Sequence, residues 1–255
     1  MQAHAFPARQ GWRWLQAGFR LWLRAPLPLT SSAMTMLMCL LLPIVLTNIG
    51  PLLTLPLIFP LQVGMFLLCS TLAEGRFPHV KLLFACFTKA RLPGLLLLTG
   101  VWLTGILLCS GIALAITRFD IQAFAAIAAK GGDIPAGTQS QITKLAMWMA
   151  LFFIPFNMAT FFAAPLIALR KVPLFKALFF SFIACWRNLA ALFVMLFVFG
   201  ILGDILPSLL LSVIGGLSAP IAGMFSGFML MVLVPVLCAA YFSCARDIFG
   251  DWPTP

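Results

Sequence analysis

Asp204 is the only acidic residue well inside an apolar run, the stretch from Val194 to Leu211. A carboxylate in hydrocarbon is costly, so it is by default a candidate for proton or ion handling. Gly203 and Pro207 flank it and could instead end the helix there, leaving Asp204 at the outer interface or as a cap. Two amides, Gln62 and Asn157, also fall in apolar runs and complete the candidate intramembrane polar set. No second intramembrane acid, Lys or His stands ready to partner Asp204. Enzyme chemistry finds less to work with. The chain has no G-x-S-x-G, no H-E-x-x-H, no G-x-x-x-x-G-K-[ST] and no paired carboxylate in an apolar run. Its seven cysteines show no C-x-x-C spacing, and His4 and His79 sit alone in flanking segments. No metal, cofactor or disulfide is therefore expected, and the chain reads as non-enzymatic.

The elements that must hold these residues follow from composition. Of 255 residues, 63% are hydrophobic and 9% charged, against roughly 25% charged in a soluble domain. Polar side chains are too few to cover a water-exposed surface, and lipid removes that need. The net charge of +10 comes from sixteen Lys and Arg spread in short clusters between apolar runs. That distribution points to anionic phospholipid headgroups and not to nucleic acid.

A helix needs about 20 apolar residues to cross the hydrocarbon. Six runs qualify: Leu29 to Asn48, Pro51 to Ala73, Leu92 to Thr117, Leu145 to Leu169, Leu189 to Val213 and Ala219 to Phe242. The first two are separated only by a tight turn and broken by Pro43, Pro51, Pro56 and Pro60. They could instead form a re-entrant hairpin. Thirteen basic residues flank one side of the six runs; only Arg118, Lys130 and Lys144 flank the other. The positive-inside rule then places both termini in the cytoplasm. Four Arg ahead of the first run, with no A-x-A-like site after it, argue against a cleavable signal peptide. The long outer connection begins with a segment, 119–129, expected to be a short interfacial helix.

The even-numbered runs share a pattern. Pro60 is followed by Gly64 and Phe66, Pro155 by Ala159 and Phe161, and Pro235 by Ala239 and Tyr241. Gln62 and Asn157 occupy the same place in the first two copies. The offset that relates Pro60 to Pro155 also relates Lys81 to Lys176, Phe84 to Phe179 and Phe87 to Phe182. A threefold internal repeat of helix pairs follows, with units at 9–73, 77–169 and 171–246 of a single integral membrane domain spanning 1–255. Two spans per unit keep all copies parallel, unlike inverted transporter repeats. Each Pro frees a carbonyl, and each small residue lets another helix approach closely. The even spans are expected to pack centrally, with Gly64, Ala159 and Ala239 at their contacts and the amides bonding across them.

Each unit opens with an amphipathic segment. At about 100° per residue, Arg9, Arg13, Gln16, Arg20 and Arg24 share one narrow arc, opposite Trp12, Leu15, Phe19 and Trp22. That is the pattern of a helix lying in the headgroup layer, its four Arg on anionic lipid. The segment from Lys81 to Arg91 repeats it more weakly. The one from Lys171 to Arg187 is apolar almost all round and is expected to be buried against the bundle.

The segment from Gly11 to Pro26, with its Trp-Arg-Trp and Arg-Ala-Pro, and the repeated Pro-x-x-x-small motif resemble a group of six-span bacterial inner-membrane proteins. More distantly, the chain is similar to the membrane domain fused to some glycerophosphodiester phosphodiesterases. The resemblance implies a bacterial inner membrane and no catalytic residues; the phosphodiesterase domain itself is absent from the sequence. The expected fold is an all-α polytopic membrane bundle of six transmembrane helices with interfacial amphipathic helices. The expected role is organising, anchoring or assisting other membrane components, with a small-solute or lipid transporter or channel as the alternative. A protein partner or homo-oligomer is left open.

Overall fold

The structure, a computed structural model, describes residues 4–120, 122, 124, 136–205 and 219–252. Helix α1 (Arg9–Arg24) ends at Ala25, because Pro26 is a natural first residue for the next helix. Helix α2 (Pro26–Leu46) and helix α3 (Gly50–Ala73) then run antiparallel around a short turn. Both continue through their internal prolines and are long enough to cross the hydrocarbon. The pair that could have formed a re-entrant hairpin is built from two helices of spanning length. After α3 the chain folds back as a single 3₁₀ turn, Val80–Phe84. No amphipathic helix forms over 81–91, because only five residues keep helical geometry before further turns. Leu83 and Cys86 are buried while Phe84 and Phe87 are exposed.

Helix α4 (Leu92–Thr117) starts at a second Arg-x-Pro corner. The fourth run divides into α5 (Ala136–Thr160) and α6 (Ala163–Arg170), which break at Phe161 and Phe162. Helix α7 (Leu174–Arg187) turns by 81° into α8 (Leu189–Gly200) at Asn188. A wider π-helical turn, Ile201–Ile205, continues α8 outward. Helix α9 (Ala219–Phe249) closes the chain. The far end of the fifth run, and most of the segment 119–129, lie outside the described residues.

Among the described residues, five helices are long and apolar enough to cross a membrane, six if the bent α7–α8 pair supplies one. Parity selects six. The His4 amide donates to the carbonyl of Ile248 at 3.1 Å, so the two ends of the described chain share one face of the bundle. An even number of crossings must lie between them. The protein is an all-α polytopic membrane bundle, and no strand occurs among the described residues. Its centre is formed by the even spans. In their most apolar windows, α3 is 61% buried, the α5–α6 span 39% and α9 53%, against 17% for α2 and for α4.

Helix α7 differs from expectation. Ala177, Ser181, Ala184 and Cys185 are buried, but Phe175, Phe179 and Trp186 are exposed. Its apolar circumference is thus split between a small-residue face on the bundle and an aromatic face turned outward, as lipid permits.

Candidate functional site

Four pieces of chain meet at the face that carries both ends. Asn188, 1% exposed, sits at the α7–α8 corner. Its Oδ1 accepts from the Phe6 amide at 2.9 Å, and its Nδ2 donates to the carbonyls of His4 and Ala184, both at 2.9 Å. Asp247 on α9 accepts from Trp14 Nε1 at 2.8 Å and from Gln10 Nε2 at 2.9 Å. Arg170 at the end of α6 donates to the carbonyls of Phe249 at 2.9 Å and Asp251 at 2.8 Å, its guanidinium 4.4 Å from the centre of the Trp252 ring. Asp247, which in sequence reads as solvated charge at the cytoplasmic end, is instead a half-buried acceptor that fixes α1 on α9. The i, i+4 pair Gln10 and Trp14 was the signal: one turn apart, they reach one carboxylate.

Helix α1 has three faces. Gly11, Trp14, Leu15, Gly18 and Leu21 are buried. A Cβ added at Gly11 would collide with the carbonyl oxygen of Ala191 on α8. One at Gly18 would stand 2.6 Å from the Ala240 nitrogen and 2.7 Å from the Val236 oxygen on α9. The inward face is therefore built on glycine. Trp12 and Phe19, expected on the face against the membrane core, are 48% and 45% exposed. With Leu23 they form an outward apolar strip beside the basic arc. Arg9, Arg13, Arg20 and Arg24 are all exposed.

At the bundle centre, the three aromatic residues of the repeated motif come together. The Tyr241 hydroxyl donates to the carbonyl of Phe161 at 2.7 Å, where α5 breaks into α6. The Tyr241 ring stands edge-on to Phe161 at 5.2 Å and to Phe66 at 6.1 Å. Beside them is an apolar cleft of about 340 Å³, lined also by Gln62, Met36, Met65 and Leu237. Gln62 is half-buried and makes no hydrogen bond among the described residues.

The remaining candidates divide. Pro60, Pro235 and Ala239 are buried, whereas Pro155 and Asn157 are exposed. Asn157 donates to the carbonyl of Phe153 in its own helix at 2.9 Å. It does not bridge two helices, because it lies with Pro155 among the exposed residues of α5. Ala159 is half-buried. Gly64 is a close approach, but to the carbonyl of Leu83 in the fold-back turn and not to another span. The backbone of Asp204 lies in the π-helical turn; its side chain lies outside the described residues.

The three amphipathic segments dock at matching places. The Val80–Phe84 turn rests on Gly64 of α3. Ser181 of α7 donates to the carbonyl of Met158 at 2.8 Å and accepts from the Phe162 amide at 2.9 Å, on either side of Ala159. Gly18 of α1 rests on Ala240 of α9, next to Ala239. Each segment thus sits on the even span that ends the preceding helix pair, and the first sits on the last. Outside the spans, burial pushes the Cys86 thiol up from its ordinary value, with the neighbouring Arg91 opposing.

No protein-family model matches the chain, and no solved structure matches it. Nothing in the comparisons supports the likeness to the membrane domain of glycerophosphodiester phosphodiesterases. Over 265 aligned residues, covering 98% of this chain and 94% of the relative, the sequence is 29% identical to a protein of Burkholderia thailandensis named as a probable inner membrane protein.

Proposed function

We propose that this chain is a non-enzymatic, multi-pass protein of the bacterial inner membrane, both termini cytoplasmic, that organises or anchors membrane components through anionic lipid. The observation that carries this is the build of α1. Its glycine face is locked to α8 and α9, so its four Arg and its Trp12–Phe19–Leu23 strip are presented outward as one fixed surface. A rigidly held basic arc beside an exposed apolar strip suits the headgroup boundary. The name carried by the Burkholderia relative supports the compartment, and the thirteen-to-three distribution of basic residues supports the orientation.

The test uses the whole protein. Each Lys or Arg near an anionic surface contributes about 1 kcal/mol. Anionic phospholipid added to the detergent-solubilised parent should raise its melting temperature. The variant with Arg9, Arg13, Arg20 and Arg24 all changed to Gln should lose more than half of that rise. An undiminished rise overturns the reading of α1.

Orientation has its own test. On a background without native cysteines, a membrane-impermeant maleimide applied to intact cells should label a cysteine at position 137 and spare one at position 89. Both positions are exposed. The opposite pattern inverts the topology.

The central cleft favours a second reading, carriage of a small apolar solute. Its walls are methionine, aliphatic and aromatic side chains with one amide, Gln62, to orient a guest. Solute flux into proteoliposomes that Gln62→Leu abolishes would select this reading over the first.

A further inference from the structure

Arg91 stands at the start of α4 and Lys171 just past the end of α6, and the two line one cleft of about 640 Å³. Leu97 lines that cleft and also a second, apolar groove of about 1030 Å³ along α4. The groove runs from Pro93 to Cys109, with Phe156 of α5 as its far wall. At ~1.5 Å per residue this is about 24 Å of helix, longer than the ~15 Å depth of one leaflet's hydrocarbon. No acidic residue lines either part. Among the described residues the only ion pair is Arg76 with Glu74, so neither Arg91 nor Lys171 is neutralised by a carboxylate.

We infer that the Arg91–Lys171 cleft and the groove along α4 together hold one anionic phospholipid, its phosphate facing the two cations and one acyl chain lying over Gly100. This rests on the membrane and anionic-lipid reading of the chain given above, and names a site for it away from α1. The two halves of the site match the two halves of one molecule. Cations at a span's boundary suit the headgroup, and a groove entered from that boundary suits the chain. A Cβ at Gly100 would meet nothing within 4 Å, so the groove is open there, while at Gly105 the Phe156 ring closes against α4. A related cleft of about 530 Å³ joins Arg24 at the end of α1 to Arg76 just past the end of α3. There Glu74 pairs with Arg76, which makes the α4 cleft the stronger anion site.

The same empty space allows a clean test. A Cβ at Gly100 meets open space, so Gly100→Leu adds bulk on the groove side of α4, and Gly111→Leu, also in open space and outside the groove, is its control. The full-length protein is purified with native lipid and retained phospholipid is counted by native mass spectrometry. Phosphatidylglycerol is then titrated in detergent, against phosphatidylcholine and inorganic phosphate. The parent should retain one anionic phospholipid that the double variant Arg91→Gln, Lys171→Gln and the variant Gly100→Leu each bind at least tenfold more weakly. Gly111→Leu should bind as the parent does. The fourfold Gln variant of α1 should also keep this lipid, which separates failure here from failure of the α1 reading. Equal affinity for phosphatidylcholine would overturn the headgroup assignment. Displacement by millimolar inorganic phosphate, or retention in Gly100→Leu, would overturn the assignment to a lipid.

Discussion

Replacing Gly64 by alanine is expected to destabilise the bundle by about 1–3 kcal/mol, the usual cost of overpacking a filled site. Intrinsic helix preference runs the other way, since alanine in a helix interior is favoured over glycine by about 1 kcal/mol. The clash wins because the added methyl meets the backbone carbonyl of Leu83, with the carbonyl carbon and Cα behind it, and no rotamer can relieve that. Either the Val80–Phe84 turn lifts off α3 or the helix shifts. Thermal unfolding in detergent is the measurement, with Gly111→Ala as reference. That position has open space around it, so the same substitution there should be neutral or stabilising. Equal melting of the two variants would mean that the turn does not rest on α3.

Asn188→Leu should cost about 2–4 kcal/mol. The side chain makes three hydrogen bonds, each worth ~0.5–1.5 kcal/mol net, and its removal strands their partners. The segment from His4 to Phe6 would lose its anchor, and limited trypsin digestion should cut at Arg9 at least several-fold faster than in the parent. Asn157→Leu is the contrast. That amide is exposed and bonded within its own helix, so its loss should stay within ~0.5 kcal/mol. A result in which both melt alike would show that the Asn188 cluster does not hold the N-terminal segment.

These two residues also mark where sequence reading stops. The spans are legible because charge bounds each apolar run, and hydrocarbon tolerates little else. The docking face of α1 is not, because a helical wheel weighs side chains and gives glycine no weight. Trp12 and Phe19 dominate that wheel, yet they face outward while Gly11 and Gly18 seat the helix. In water their burial would decide the rotation of the helix; beside lipid an exposed tryptophan costs little, and backbone proximity decides instead. Gly64 was legible as a close contact through its spacing from Pro60, but its partner was not. The fold-back after α3 depends on tertiary packing of Leu83 and Cys86, which no local periodicity encodes. Asn157 and Gln62 occupy the same place in the motif and meet different surroundings, since repeated sequence does not impose repeated environment. Asn188 and Asp247 carry no motif at all and acquire their roles from chain ends far away in sequence.

The seat of α1 on α8 and α9 has a consequence for how the protein is made. At ~5–20 residues per second, about ten to forty-five seconds separate the emergence of Arg24 from that of Phe249. Until α8 emerges the first helix synthesised has no partner for Gly11, and until α9 emerges it has none for Gly18. The later segments find their seats already made: the Val80–Phe84 turn follows α3 directly, and α7 follows α5 and α6. Only α1 must wait. Its outward arginines and tryptophan can hold it at the surface meanwhile, and Asp247, near the end of α9, completes its capture. The earliest helix is thus the last to be installed, and chains stopped before α9 would leave it unseated.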